Sequence, residues 1–178
     1  MILVSKRATK QQAKLVDAGY LLIDVTSTSK DATYQKFSPF YPHGNIPVPG
    51  TDLFSESVEG VWQGLKVFEK QGIDNKKFEI KTMKDVKRPA NDKRGKVLGH
   101  QFEESILGYL ESRKRIYLPT YEHVLDNCLA QELIFLKQLA TENNNKLALL
   151  DYETNDDVEN CKKPLSHASL VIKRLNEM

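Results

Sequence analysis

The chain has 178 residues, enough for one domain with a hydrophobic core and short of what two domains usually need. A content of 40% hydrophobic and 28% charged residues matches a water-soluble globular protein, and a formal net charge of +2 argues neither for nor against nucleic acid, so any basic patch must be local. Two cysteines, Cys128 and Cys161, without CxxC spacing or histidine companions, point to reduced thiols rather than a disulfide framework or a zinc site.

The apolar-then-basic start MILVSKRATK reverses the order of a secretory signal, and no apolar run approaches the ~18 residues of a membrane span. A cytoplasmic protein with no membrane partner is therefore expected. In chain order, Ile2 to Ser5 reads as a strand, and KRATKQQAKLVDAG suits a helix ending at Gly19. The stretch YLLIDVTST from Tyr20 is rich in β-formers and predicts a second strand. From Ser29 to Phe54, four prolines and two glycines predict a long loop, and Tyr34, Phe37, Phe40 and Tyr41 predict that it is packed down.

SVEGVWQGLKVFEK, Ser57 to Lys70, predicts a helix: Val58, Val61, Trp62, Leu65 and Phe68 recur on one face, with Ser55 or Ser57 as N-cap. Trp62 lies on this stripe and is expected in the core. A basic stretch around Lys81, Lys84, Lys87, Arg88, Lys93, Arg94 and Lys96 follows. FEESILGYLESRKR then predicts an amphipathic helix, and PTYEHVLDNCLAQELIFLKQLATENN predicts one long or two shorter ones. KLALLDY is a strand candidate, and the last helix begins near Pro164 or Ser166. The expected fold class is α+β: a helix-rich single domain, 1–178, with a small sheet.

The familiar catalytic and metal motifs are missing. GKVLGH lacks the GK[ST] ending of a phosphate-binding loop. DYETNDDVENCK has Asp156 where a calcium loop needs glycine and Lys162 where it needs a bidentate glutamate. There is no GxSxG and no HExxH, and His43, His100, His123 and His167 stand isolated. No metal and no cofactor are expected.

What remains is a row. Glu59, Gln63 and Lys66 fall at i, i+4 and i+7 of the predicted helix, interleaved with Gly60 and Gly64, each costing about 1 kcal/mol against alanine. Read alone, the row is a solvated helix face in which Glu59 complements the helix dipole and the glycines permit close packing. The spacing E-x-x-x-Q-x-x-K, preceded by the loop FSPFYP, resembles the NADAR (NAD- and ADP-ribose-associated) superfamily. Met83, Lys84 and Arg88 are similar to that family's following segment, and LALLDYETNDD, with Asp151, Asn155 and Asp156, to its late acidic stretch. The chain also resembles a family of small bacteriophage proteins in YPHGNIPVPG, VEGVWQGLKVF and PLSHASL. It departs from NADAR at Pro39, where Asn is usual, at Gly60, where His is usual, and in lacking the late Trp-Gly.

The resemblance implies a NADAR-like fold and hydrolysis of the N-glycosidic bond between ADP-ribose and a guanine-type base, with ADP-ribosylated DNA or RNA as partner and reversal of ADP-ribosylation during phage infection as the setting. It implies Glu59, Lys66 and Asp156 as catalytic residues. Glu59 would stabilise the charge developing on ribose and direct water, while Lys66 would meet a phosphate or the leaving group. It implies Phe37, Ser38, Phe40, Gln63, Arg88, Asp151 and Asn155 as ligand contacts, with Gln63 orienting a ribose hydroxyl. The missing side chains of Gly60 and Gly64 would let a flat ligand or the aromatic loop approach the helix. Two other readings stand beside this one: a non-catalytic ADP-ribose or nucleotide-binding module, and a phage host-interaction protein that has lost the pocket.

Overall fold

The computed structural model describes residues 1–88 and 93–178. In chain order its elements are β1 (Ile2–Ser5), α1 (Thr9–Asp17), β2 (Leu21–Asp24), α2 (Ala32–Gln35), β3 (Ile46–Pro47), β4 (Phe54–Ser55), α3 (Val58–Gly64), β5 (Lys66–Phe68), β6 (Val97–Phe102), β7 (Ser105–Leu107), α4 (Tyr109–Ser112), α5 (Leu118–Asn127), α6 (Ala130–Glu142), β8 (Leu147–Asp151) and α7 (His167–Glu177). The fold class is α+β, as expected. The elements gather into two units, one from residues 1–38 and 129–178, the other from residues 39–128. Residues 89–92 of the basic stretch lie outside the described residues.

The first unit is built on a parallel sheet in the order β1-β8-β2. β8 is central and buried along its whole length, which is why it reads as an unbroken apolar run rather than an alternation. α7 packs on β8 and β1, and its Ser166 N-cap accepts from the Ser169 N–H. α1 stops where expected, with Gly19 at φ 83 just beyond it. β2 is shorter than the predicted strand because the Asp24 carboxylate accepts from the Thr26 N–H at 3.1 Å and turns the chain. The long loop contains α2, capped by Asp31 through the Thr33 and Tyr34 N–H groups.

The second unit holds a short antiparallel pair, β3-β4, and an antiparallel sheet in the order β5-β6-β7. Two expectations fail here. The helix predicted from Ser57 to Lys70 is α3 alone, with Ser57 as its cap through Gly60 N–H at 3.0 Å. It ends because outside donors take the Gly64 carbonyl, the Asp74 N–H at 2.8 Å and Arg88 at 3.3 Å, and because Lys66 pairs with His100 as β5 joins β6. Lys66 therefore leads a strand and does not sit two turns along a helix.

The helix predicted from Phe102 is a hairpin up to Leu107. Phe102, Ile106 and Leu107 imitate helical spacing, but Glu103 adopts φ 52 and turns β6 into β7. Helix begins at Tyr109 and runs through a wide π-helical turn, Arg113–Tyr117, into α5. Pro119, near the start of α5, has no N–H to give to the preceding turn, and the wide turn absorbs that mismatch. The segment after it is two helices, α5 and α6, broken at Cys128 and Leu129.

Candidate polar site on the second unit

The row survives the loss of its helix. Gln63 donates to the Glu59 carboxylate at 2.8 Å and accepts from the Lys66 ammonium at 3.0 Å and from the Arg88 N–H at 3.3 Å. Glu59 and Gln63 are buried, at 9% and 5% exposure, and Lys66 is half-buried, so this is not a solvated helix face. The Pro39 carbonyl accepts from the Glu59 N–H at 2.8 Å, which brings the aromatic-serine loop to the start of α3. Next in that loop, Phe40 carries the Lys87 ammonium 5.1 Å from its ring centroid.

The electrostatics follow from burial. Desolvation pushes the Glu59 carboxyl above its ordinary value, against the Gln63 hydrogen bond and the charges of Lys87 and Lys66. Burial lowers the Lys66 ammonium; Glu59 opposes this, and Arg88, Lys87 and Arg94 add to it. A carboxyl raised and an amine lowered, one amide apart, have the environment of an acid–base pair rather than of two surface charges.

Arg88 is committed elsewhere. Its guanidinium donates to the Lys66 carbonyl at 3.2 Å and the Gly64 carbonyl at 3.3 Å, lies 5.2 Å from the Phe68 ring centroid, and faces Asp74 at 3.8 Å. It braces the end of α3 instead of presenting a fork to phosphate. Gly60 and Gly64 are explained by protein too. A Cβ on Gly60 would stand 2.6 Å from Ser55 Oγ and 2.8 Å from the Lys77 carbonyl, and one on Gly64 would enter the Phe78 ring, 2.6 Å from Cδ1. The expectation that they admit a ligand is corrected: the Ser55 hydroxyl, the Lys77 carbonyl and Phe78 occupy that space.

Phe40, Glu59, Gln63, Lys66 and Arg88 thus belong to the second unit, and the other expected residues to the first. Phe37 is fully buried and Ser38 nearly so. Asp151 accepts from the Ser166 hydroxyl at 2.7 Å, from the Tyr152 N–H at 2.7 Å and from His167 Nδ1 at 3.0 Å, capping the start of α7. His167 Nε2 faces the Val25 carbonyl at 2.9 Å, so both ring nitrogens meet acceptors, an arrangement that favours the protonated ring. Burial pushes His167 down, but Asp151 and its hydrogen bond outweigh it and hold the ring above its usual value. Burial likewise pushes Asp151 up, and His167, Ser166 and Ala168 hold it below its usual value. Asn155 donates to the Asn160 and Lys163 carbonyls and accepts from the Asp157 N–H, which ties its amide to its own loop. Asp156 is exposed.

Two residues near the row carried no individual role in the sequence. Lys87 is one of a run of lysines, and only its place over Phe40 singles it out. His100 is 2% exposed, and neither ring nitrogen has a hydrogen-bond partner. Burial, with Lys66 and Arg88, drives it down to about 3; the Trp62 carbonyl pulls weakly the other way without hydrogen-bond geometry. The signal that could have found it is the hairpin alternation of VLGHQF, which places His100 opposite Lys66. Among the described residues, no cluster of histidine, cysteine and carboxylate side chains is placed to hold a metal, and no helix is long and apolar enough to cross a membrane.

No curated protein matches the sequence. A family model, described as a family of unknown function (DUF6939), matches residues 5–171, and the chain belongs to that family.

Proposed function

We propose that the row is an ADP-ribose site and that the chain hydrolyses the bond between ADP-ribose and a guanine-type nucleobase in DNA or RNA. The observation that carries the reading is the buried Glu59 carboxyl joined through Gln63 to the half-buried Lys66. Water attacks the anomeric carbon of the ribose and gives its proton to Glu59. The carbon–nitrogen bond breaks, the base nitrogen takes up the proton that Glu59 received from water, and one water is consumed as ADP-ribose is released and the unmodified base stays in the nucleic acid. Lys66 and Lys87 supply positive charge for the pyrophosphate, and Phe40 flanks them. Gln63, engaged on both sides, sets the spacing of acid and amine rather than holding a ribose hydroxyl. Asp156, Asp151 and Asn155 belong to the other unit. The setting in this reading is the cytoplasm of a phage-infected host.

The test is release of ADP-ribose from an ADP-ribosylated guanosine oligonucleotide, followed by mass spectrometry. Wild type is expected to release it and Glu59→Gln to bind without turnover; an active Glu59→Gln variant overturns the role. A binding module without turnover is the second reading. It is favoured by the commitment of Gln63 and Arg88 to internal bonds, and saturable binding with no product would select it.

A further inference from the structure

Trp62 departs from the rest of its stripe. Val58, Val61, Leu65 and Phe68 are buried, but Trp62 is only half-buried. One side is taken by His100, with ring centroids 3.8 Å apart at 34°. Tyr109 and Tyr117 stand nearly perpendicular to the indole, each 5.8 Å away at 84° and 80°. Tyr109 is 43% exposed, so the ring cluster opens to the surface. A core cluster would close over such rings, and a stacked histidine with two buried, partnerless nitrogens adds a cost that an apolar residue would avoid.

The cluster adjoins the row. Trp62 follows Glu59 by three residues on α3, so their side chains are neighbours about 5–6 Å apart at Cβ. A group attached to the sugar carbon that reacts at Glu59 reaches Trp62 directly, whereas the adenine of ADP-ribose lies beyond a pyrophosphate.

We infer that Trp62, Tyr109 and Tyr117, with His100 stacked behind the indole, form the subsite that receives the leaving nucleobase. The base stacks against the indole between the tyrosines, as flat heteroaromatic rings do on aromatic side chains. The inference rests on the glycosidase reading, because only that reading places a base beside Glu59.

Trp62 is the chain's one tryptophan, so its emission reports this slot alone. The experiment titrates guanosine, to its solubility limit, into the full-length wild type, Tyr109→Leu and His100→Phe, with ADP-ribose calorimetry run in parallel on each. Expected are saturable quenching in wild type, weakening of about tenfold or more in Tyr109→Leu, the scale of one lost stack, and unchanged ADP-ribose binding. His100→Phe keeps a ring behind Trp62, so it is expected to retain guanosine affinity; loss of that affinity in a variant that keeps its thermal midpoint and its ADP-ribose binding overturns the stacking arrangement. ADP-ribose binding with Trp62 emission indifferent to guanosine overturns the subsite and leaves the glycosidase reading standing. Quenching by guanosine with no ADP-ribose binding overturns the ADP-ribose reading and with it the leaving-base assignment, and leaves a nucleoside-binding slot. Failure of both ligands overturns both.

Discussion

Replacing Gln63 with leucine removes three hydrogen bonds at once with little change in volume. The Lys66 ammonium, half-buried, can turn to water. The Glu59 carboxyl and the Arg88 N–H cannot, and each is left buried without its partner. At roughly 1–3 kcal/mol for each unpaired group, less a small return from the buried leucine, the expected loss is about 3 kcal/mol. The pH dependence has a definite sign. Burial raises the folded-state Glu59 carboxyl above its unfolded value, so its ionised form opposes folding. That opposition is complete above the folded pKa and gone below the unfolded one, near about 4.3. Loss of the Gln63 donor raises the carboxyl further, so the variant's deficit is largest near pH 8 and shrinks toward pH 4. Urea unfolding of wild type and Gln63→Leu at both pH values measures it, with equal m-values required for the comparison. A deficit below about 1 kcal/mol at both pH values would refute the reasoning and return the row to solvent.

Glu59→Gln removes the charge that burial disfavours, so it should stabilise the chain at pH 8 while abolishing turnover, with the advantage disappearing as pH falls through the Glu59 pKa; urea midpoints across pH test this. Gly64→Ala should cost about 1–3 kcal/mol by overpacking against Phe78. Combined with Phe78→Ala it should cost less than the sum of the two single changes, and strict additivity would contradict the contact. In the first unit, Asp151→Asn should cost about 3–5 kcal/mol, since it removes the carboxylate that faces the buried His167 ring. The pair's two pH limits differ: the His167 contribution is complete below about 6.5 and lost as pH rises through its raised pKa, while the Asp151 contribution is complete above about 3.9 and lost as pH falls through its lowered one. Wild-type thermal midpoints should fall on both sides of that plateau and those of Asp151→Asn should not; parallel profiles would contradict the pairing.

Strands buried on both faces, and helices with clear stops, were legible in the sequence. LALLD has no polar alternation because β8 is central, and α1 and α7 are marked by Gly19 and Ser166. Failure came where a tertiary partner decides. Lys66 continues the helical spacing of α3, yet pairing with His100 makes it a strand, a contact more than thirty residues away in sequence. Phe102, Ile106 and Leu107 fit one helix face equally well, and only Glu103 in the left-handed region separates hairpin from helix. For the site, Glu59, Gln63 and Lys66 were legible as a group because short spacing survives a change of secondary structure. Their burial was not, since it depends on the Pro39 loop and on Arg88. Asp151, Asn155 and Arg88 have side chains suited to ligands, but their bonds to backbone and to neighbouring side chains are visible only in three dimensions.

The central claim is tested most directly by calorimetric titration of ADP-ribose into the wild-type chain and into Lys66→Ala. The account predicts saturable binding to wild type that Lys66→Ala abolishes while its urea midpoint stays close to wild type, because the ammonium is half-buried and gives its hydrogen bond to Gln63. Heat of binding unchanged by Lys66→Ala, or absent from both proteins, would contradict it.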